Sequence, residues 1–188
     1  MGMPRRSLRS ARVKRGSADD ARLAVFARFV QAVCHSRGHR PIMHALTMAA
    51  YVAATSVLLA KLVVMVSLQG AMRIRTKRFQ YAEDAAHWNG DLVGEESDLI
   101  VRAQRVLRND SEGQPYFFVF GAAYVALGAT PWAAWLYFPA YALSRVLHAW
   151  CMLRARQPLR NRAFGAGLVT LVALAAHCVL TACSLAWA

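Results

Sequence analysis

The chain has 188 residues, of which 57% are hydrophobic, and a formal charge of +13. Soluble domains run nearer about 45–50% apolar, so composition argues against an ordinary soluble fold and for a membrane protein. Ten of the 23 Lys and Arg lie in the first 40 residues, and most others sit beside long apolar runs. A nucleic-acid binder gathers its cations on a folded soluble face, usually within a recognisable module; none is present, and nucleic acid is not an expected partner. The four cysteines, Cys34, Cys151, Cys178 and Cys183, contain no CxxC pair, and three of them lie in apolar runs. That pattern fits buried small side chains better than a disulfide framework. Neither histidines nor carboxylates fall at metal-ligand spacing, and no metal is expected.

Residues 1–45 read as a basic tail, disordered or lying at a membrane interface, ahead of a four-helix transmembrane domain over 46–188. Within the tail, Ala21 to Val33 has the spacing of an amphipathic helix, with Leu23, Phe26, Phe29, Val30 and Val33 apolar. Such a helix suits an anionic membrane surface, and the Arg-rich character also fits a mitochondrial leader.

The first span is expected from Leu46 to Gly70. About 25 residues at a rise of 1.5 Å cross a hydrocarbon core of about 30 Å. Lys61 interrupts it, and a charge at mid-membrane costs about 2.5–3.5 kcal/mol even on the lenient scale. Lys61 must therefore snorkel or face a partner. Arg73, Arg75, Lys77 and Arg78 end the span, and a polar connector with Asn89-Gly90 as a turn signal runs to about Ile100. The second helix starts near Ile100, is charged through its first three turns, and turns apolar from Pro115 to Thr130. Gly128 and Pro131 mark a tight reversal. A third span, Trp132 to Leu153, carries Arg145 and His148. A basic connector from Arg154 to Arg162 leads to the fourth, Ala163 to Trp187.

The first and third connectors, with the start of the second helix, hold eleven Lys and Arg, whereas the Gly128–Trp132 turn and the C-terminus hold none. The positive-inside rule places both basic connectors on the cytoplasmic side. Gly128, Gly165 and Gly167 are expected to permit close helix approach. Trp132, Trp135, Tyr137, Phe138 and Tyr141 read as interfacial anchors and packing, with a lipophilic entry route as the alternative.

The stretch Arg102 to Glu112, RAQRVLRNDSE, carries the chemistry. At 100° per residue, Arg102, Arg105, Arg108, Asn109 and Glu112 share about a third of the helix circumference, and the opposite face is expected to be apolar. Arg145 and His148, three residues apart, share a face of the next helix. Ionisable groups at this depth usually face a bundle interior or a cavity. Several arginines select a ligand bearing carboxylates or phosphates, and a glutamate in the same stripe seeks an ammonium or N–H. A thiol brought near an arginine would shift towards thiolate from its ordinary pKa of about 8.5. Taken alone, these residues point to a small polyanionic ligand.

Three segments, KLVVMVSLQGAMRIR with FQYAED beyond it, RVLRNDSE followed by Pro115, and SRVLHAW, occur in an order that resembles the membrane-associated proteins in eicosanoid and glutathione metabolism, the MAPEG family. The resemblance covers about Lys61 to Val172. It implies an all-α, integral membrane four-helix bundle that assembles as a homotrimer and holds glutathione between neighbouring subunits at the cytoplasmic side. It implies that Arg73, Arg105, Arg108, Asn109, Glu112 and His148 bind glutathione, that Arg160 sits near the thiol, and that Asp84 takes part in the same step. The implied function is a glutathione-dependent transferase or peroxidase, or an isomerase, acting on lipophilic substrates in a bacterial inner membrane or the endoplasmic reticulum. Met152, Asn161 and Phe164 stand where close members have tyrosine, serine and tyrosine, which weakens the isomerase reading. The alternative is a non-catalytic lipid-binding scaffold of the same fold, which has no need of the full cationic stripe with Arg160.

Overall fold

A computed structural model describes the backbone over residues 7–187 and the side chains over residues 42–187. In chain order the elements are α1 (Ser7–Thr76), β1 (Arg78–Phe79), α2 (Ala82–Trp88), β2 (Asp91–Leu92), α3 (Asp98–Ala126), α4 (Pro131–Leu153) and α5 (Gln157–Ala186). The described chain is all-α apart from the short parallel ladder that pairs Arg78 with Asp91 and Phe79 with Leu92. Contacts divide it into Met1–Met43 and His44–Ala188. The amphipathic reading of Ala21 to Val33 and the packing of Cys34 concern side chains outside the described residues.

Among the described residues, two helices, Ile42–Thr76 and α5, are long and apolar enough to cross a membrane. A core helix of a soluble protein would be mostly covered, but 28% and 11% of their apolar windows are buried within the chain. Their outward faces, with Leu59, Val63, Val64, Val169, Val172 and Leu180 exposed, require lipid or another apolar surface. At 29 and 23 residues, α3 and α4 reach about 30 Å or more, although α3 is charged through its first three turns.

Turn chemistry fixes the helix ends. Asn89 closes α2 at φ 48° and ψ 55°, the left-handed conformation that asparagine tolerates best among residues with a side chain. Gly128, at φ 64°, reverses the chain between α3 and α4, and Pro131 opens α4 at a position where its missing N–H costs nothing. The expected connector from Arg154 to Arg162 is shorter than read: Ala155 turns the chain at φ 56°, and α5 starts at Gln157 with Pro158 in its first turn. Charged residues at a helix start resemble a loop in composition, which displaced that boundary. The polar connector between α1 and α3 also contains α2, whose first turn carries Glu83 and Asp84, where carboxylates favour the helix N-terminus.

α4 packs along α5, and both pack on α3, whereas α1 stands further off and reaches the others through long side chains. An apolar layer joins Ala50, Ala54 and Leu58 of α1 to Phe117, Tyr124, Phe138, Tyr141, Ala142 and Leu174. A smaller one joins Met65, Val106 and Ala149. Between them in sequence on each helix lie buried polar groups: Lys61 on α1, Asp110 on α3, and Arg145 and His148 on α4. The expected close approach holds at Gly167, where a Cβ would meet Ser144 Oγ at 2.7 Å. Within the single chain Gly165 has nothing within 4 Å, and Gly128 serves the turn. Gly113 leaves room for Arg145 Nη2, 2.9 Å from where a Cβ would stand. Cys151 and Cys178 are buried as expected, while Cys183 is exposed. Phe138 and Tyr141 are core residues, whereas Trp132 and Trp135 face outward, as interfacial anchors do.

Candidate functional site

The polar stripe of α3 divides between the bundle's surface and its interior. Arg105 and Arg108 are exposed and Arg102 and Asn109 partly buried. The Arg108 side chain is 85% accessible and pairs with Glu112 of the next turn at 3.7 Å, Glu112 being 67% accessible. These groups point away from their own chain's core. The face expected to be apolar is not wholly so: it runs Ile100, Ala103, Val106, Asp110, Phe117, all buried, with a carboxylate in its midst.

That carboxylate supplies the partner Lys61 requires. Asp110 Oδ2 lies 2.7 Å from Lys61 Nζ, and Asp110 Oδ1 lies 3.7 Å from Arg145 Nε. All three side chains are under 10% accessible. Arg145 Nη2 also donates to the Asn109 carbonyl at 3.2 Å, and its guanidinium lies 5.7 Å from both the Tyr141 and Phe164 rings. An acid on an otherwise apolar stripe is the sequence signal that marks Asp110, and it lies off the face that carries the arginines.

Two recesses open beside this layer. One, about 330 Å3, is lined by Asp98, Val101, Arg102, Arg105, Met152, Ala155, Gln157 and Arg160. It brings together Arg105 from α3 and Arg160 from the first turn of α5, helices that are far apart in sequence. Arg160 Nη1 contacts Met152 Sδ at 3.6 Å, and Arg102 Nη1 reaches the Met152 carbonyl at 3.5 Å. The other recess, about 230 Å3, collects Asn109, Glu112, Tyr141 and Arg145 with apolar walls that include Phe164, Leu168 and Leu171. His148 links the two: its Nδ1 lies 3.3 Å from the Arg160 carbonyl, and its ring is 5.8 Å from Phe164, which lines the second. His148 Nε2 and Asn109 Oδ1 are buried without a hydrogen-bond partner.

Arg73 is placed elsewhere. Its Nε donates to Glu96 Oε1 at 2.5 Å, and Gln104 Nε2 donates to the other oxygen at 2.5 Å, so the 99%-buried Glu96 carboxylate ties α1 to α3 across the connector. Asp84 is exposed on α2, close enough to Arg73 to act on its charge. Within one chain the structure thus joins Arg105 to Arg160, joins Asn109 to Glu112, sets His148 between them, and leaves Arg73, Asp84 and Arg108 at the periphery.

Residues 51–180 match the model of the MAPEG family. The chain is 31% identical over 124 residues to prostaglandin E synthase of Macaca fascicularis, a match covering 65% of this chain and 82% of that protein. It is 30% identical over 124 residues to human prostaglandin E synthase with the same coverage. To the enzyme of Mus musculus it is 31% identical over 116 residues, covering 61% and 76%. A family match over residues 51–180 takes in all of the charged layer and both recesses, and on that evidence the chain belongs to the MAPEG family.

Proposed function

We propose that this chain is a multi-pass membrane enzyme that binds glutathione and directs its thiol at lipophilic electrophiles or hydroperoxides, as a transferase or peroxidase. The observation that carries the reading is the recess in which Arg105 and Arg160, contributed by different helices, meet with Arg102. Three guanidiniums in one concavity suit a ligand with several anionic groups, Arg102 and Arg105 able to give paired charge-assisted hydrogen bonds to its carboxylates and Arg160 left for a further anion. Glutathione has two carboxylates and an ammonium, and the unpartnered Asn109 Oδ1 and His148 Nε2 leave polar capacity for its backbone and amine, with Glu112 nearby for the ammonium.

When bound, glutathione supplies the thiol that reacts with the electrophile. The chain's own contribution is electrostatic. Arg160 places a permanent positive charge in the recess, which favours an anion on sulfur over the neutral thiol. Among the described residues that line the recess none carries a hydroxyl, and Met152 forms part of its wall. Arginine therefore acts without a hydroxyl donor there, which fits transferase or peroxidase chemistry better than isomerisation. Asp84, through its charge on Arg73, is assigned to the same step. The outward aim of Arg108 and Glu112 accords with a homotrimer in which a second copy completes the site, with Arg73 reaching it from a neighbour. Both basic connectors would lie on the cytoplasmic side, in a bacterial inner membrane or the endoplasmic reticulum.

Glutathione binding to detergent-purified protein, with thiolate formation followed by ultraviolet difference absorbance across pH, tests the reading. The expected result is saturable binding with the bound thiol's pKa well below the free value of about 8.5. Absence of binding at millimolar glutathione would refute it and favour a lipid-binding scaffold.

A further inference from the structure

We infer that Asp110 and Lys61 are positioning residues: the buried chain Lys61–Asp110–Arg145 braces the weakest stretch of α3 and so fixes the direction of Asn109 and Glu112. This rests on the glutathione reading for its functional consequence, but not for its mechanical one.

The segment needs a brace. Gly113 and Pro115 follow Glu112 within three residues. Glycine is a poor helix former, and Pro115, inside α3, has no N–H to give to the carbonyl four residues earlier, that of Ser111. Asn109 and Glu112 therefore stand on a turn that the α-helix holds less firmly than its neighbours. Across from it, Arg145 Nη2 fastens the Asn109 carbonyl to α4 at 3.2 Å. Gly113 is the residue whose missing Cβ admits that guanidinium.

Arg145 needs a counterion to remain buried at 4% side-chain accessibility, and Asp110, at 8%, is the anion it has. Asp110 in turn is held by Lys61 at 2.7 Å. Neither Lys61 nor Asp110 lines either recess, so direct contact with a ligand there is not their role. The layer holds two cations and one anion. Removing the anion leaves both cations unpaired in a low-dielectric interior, where an orphaned charge is far costlier than the intact pair. Lys61 therefore acts through Asp110, Asp110 through Arg145, and Arg145 on the backbone beside the ligand groups.

The test uses full-length protein in lipid nanodiscs and compares wild type with Asp110→Asn, the conservative Asp110→Glu, and the double variant Lys61→Met with Asp110→Asn. The double variant removes one cation together with the anion and is expected to fold where Asp110→Asn alone fails. Two quantities are read: the glutathione Kd by equilibrium dialysis, and hydrogen exchange across α3. Loss of Asp110 should raise the Kd about tenfold and speed exchange at residues 109–114 at least tenfold, with residues 171–180 of α5 unchanged. Asp110→Glu should recover most of both. A folded double variant with wild-type Kd and wild-type exchange at 109–114 would overturn the inference, as would acceleration spread evenly over all helices, which marks a merely structural ion pair. If the double variant does not fold, Arg145→Lys carries the test, because it keeps the charge while removing the Nη2 contact to the Asn109 carbonyl. A several-fold rise in Kd with local exchange supports the brace, and unchanged values refute it. Wild-type protein that binds no glutathione would sink the glutathione reading alone, and the exchange data would still decide the brace.

Discussion

The aromatic layer around Phe138 and the charged layer around Asp110 are built from the same helices, a few turns apart, and they are held by different physics. In the first, Phe117 stacks on Tyr141 at 4.2 Å and 6°, and Phe138 meets Phe117 and Tyr124 edge-on at 5.9 and 5.8 Å. Offset and edge contacts of this kind add about 0.5–1.5 kcal/mol beyond area burial, and each is local. In the second, one carboxylate serves two cations, and no member is dispensable by itself. Apart from Tyr141, which also lines the second recess, the aromatic layer should lose stability in increments when trimmed, without altering ligand affinity in the folded fraction. The charged layer and the recesses beside it should show changes in affinity and turnover that stability does not predict. That difference separates scaffold from site.

The sharpest break in that comparison is Arg160→Ala. In the proposed site it should leave glutathione Kd within about threefold, raise the bound thiol's pKa, and cut turnover roughly 10²–10³-fold, the range for deleting one preorganised donor to a developing anion. Ultraviolet thiolate titration and steady-state rates on the same preparation measure both. A pKa and a rate equal to wild type would remove Arg160 from the chemistry. The counterpart in the aromatic layer is Phe138→Ala. It should cost about 3 kcal/mol of stability, at the lower end for deleting a buried aromatic ring, seen as a fall in thermal midpoint in detergent. The glutathione Kd of the folded fraction should not move, and a change in Kd there would mean that the two layers are not separable.

Much of this architecture was legible in the sequence, for reasons that also explain what was not. Helical spans, the Gly128–Pro131 reversal and the Asn89 turn follow from local rules, namely apolar length and the cost of a left-handed backbone. A 100° step puts Arg105 and Arg108 on one helix face, but it does not tell that Arg105 meets Arg160 while Arg108 stays outside that recess. Lys61 could be said to need a partner, because a lone charge in hydrocarbon is too costly, but which carboxylate answers it is a tertiary fact. Asp110 lies one residue from the conspicuous stripe and on the opposite face, which the periodicity of the arginines leads one to expect to be apolar. Likewise, helical periodicity places Arg145 and His148 together but cannot say that Arg145 turns to the Asn109 carbonyl and His148 to that of Arg160.

A smaller effect sharpens the contrast within the site itself. Arg108, 85% accessible in its own chain, should contribute binding without activation, so Arg108→Ala is expected to raise the glutathione Kd about tenfold, near 1.4 kcal/mol, with kcat at saturation within twofold. Isothermal titration together with saturation kinetics distinguishes this from the Arg160 result. A fall in kcat at full saturation would place Arg108 closer to the thiol than proposed.

The smallest effects come from two glycines on α5, separated by one residue. At Gly167 an added methyl meets Ser144 Oγ at 2.7 Å on the tightly packed α4 face, whereas at Gly165 it meets nothing within 4 Å. Gly167→Ala should therefore destabilise by about 1 kcal/mol or more, since overpacking a close helix contact forces side chains to shift. Gly165→Ala should stabilise by about 0.5–1 kcal/mol, because alanine is the better helix former and the unfolded chain loses freedom. Thermal midpoints of the two single variants measured side by side decide the matter, and opposite signs are the expected outcome. Destabilisation at Gly165 comparable to that at Gly167 would show that another surface packs there in the assembled protein, which would turn a position that is open in the single chain into a marker of the subunit interface.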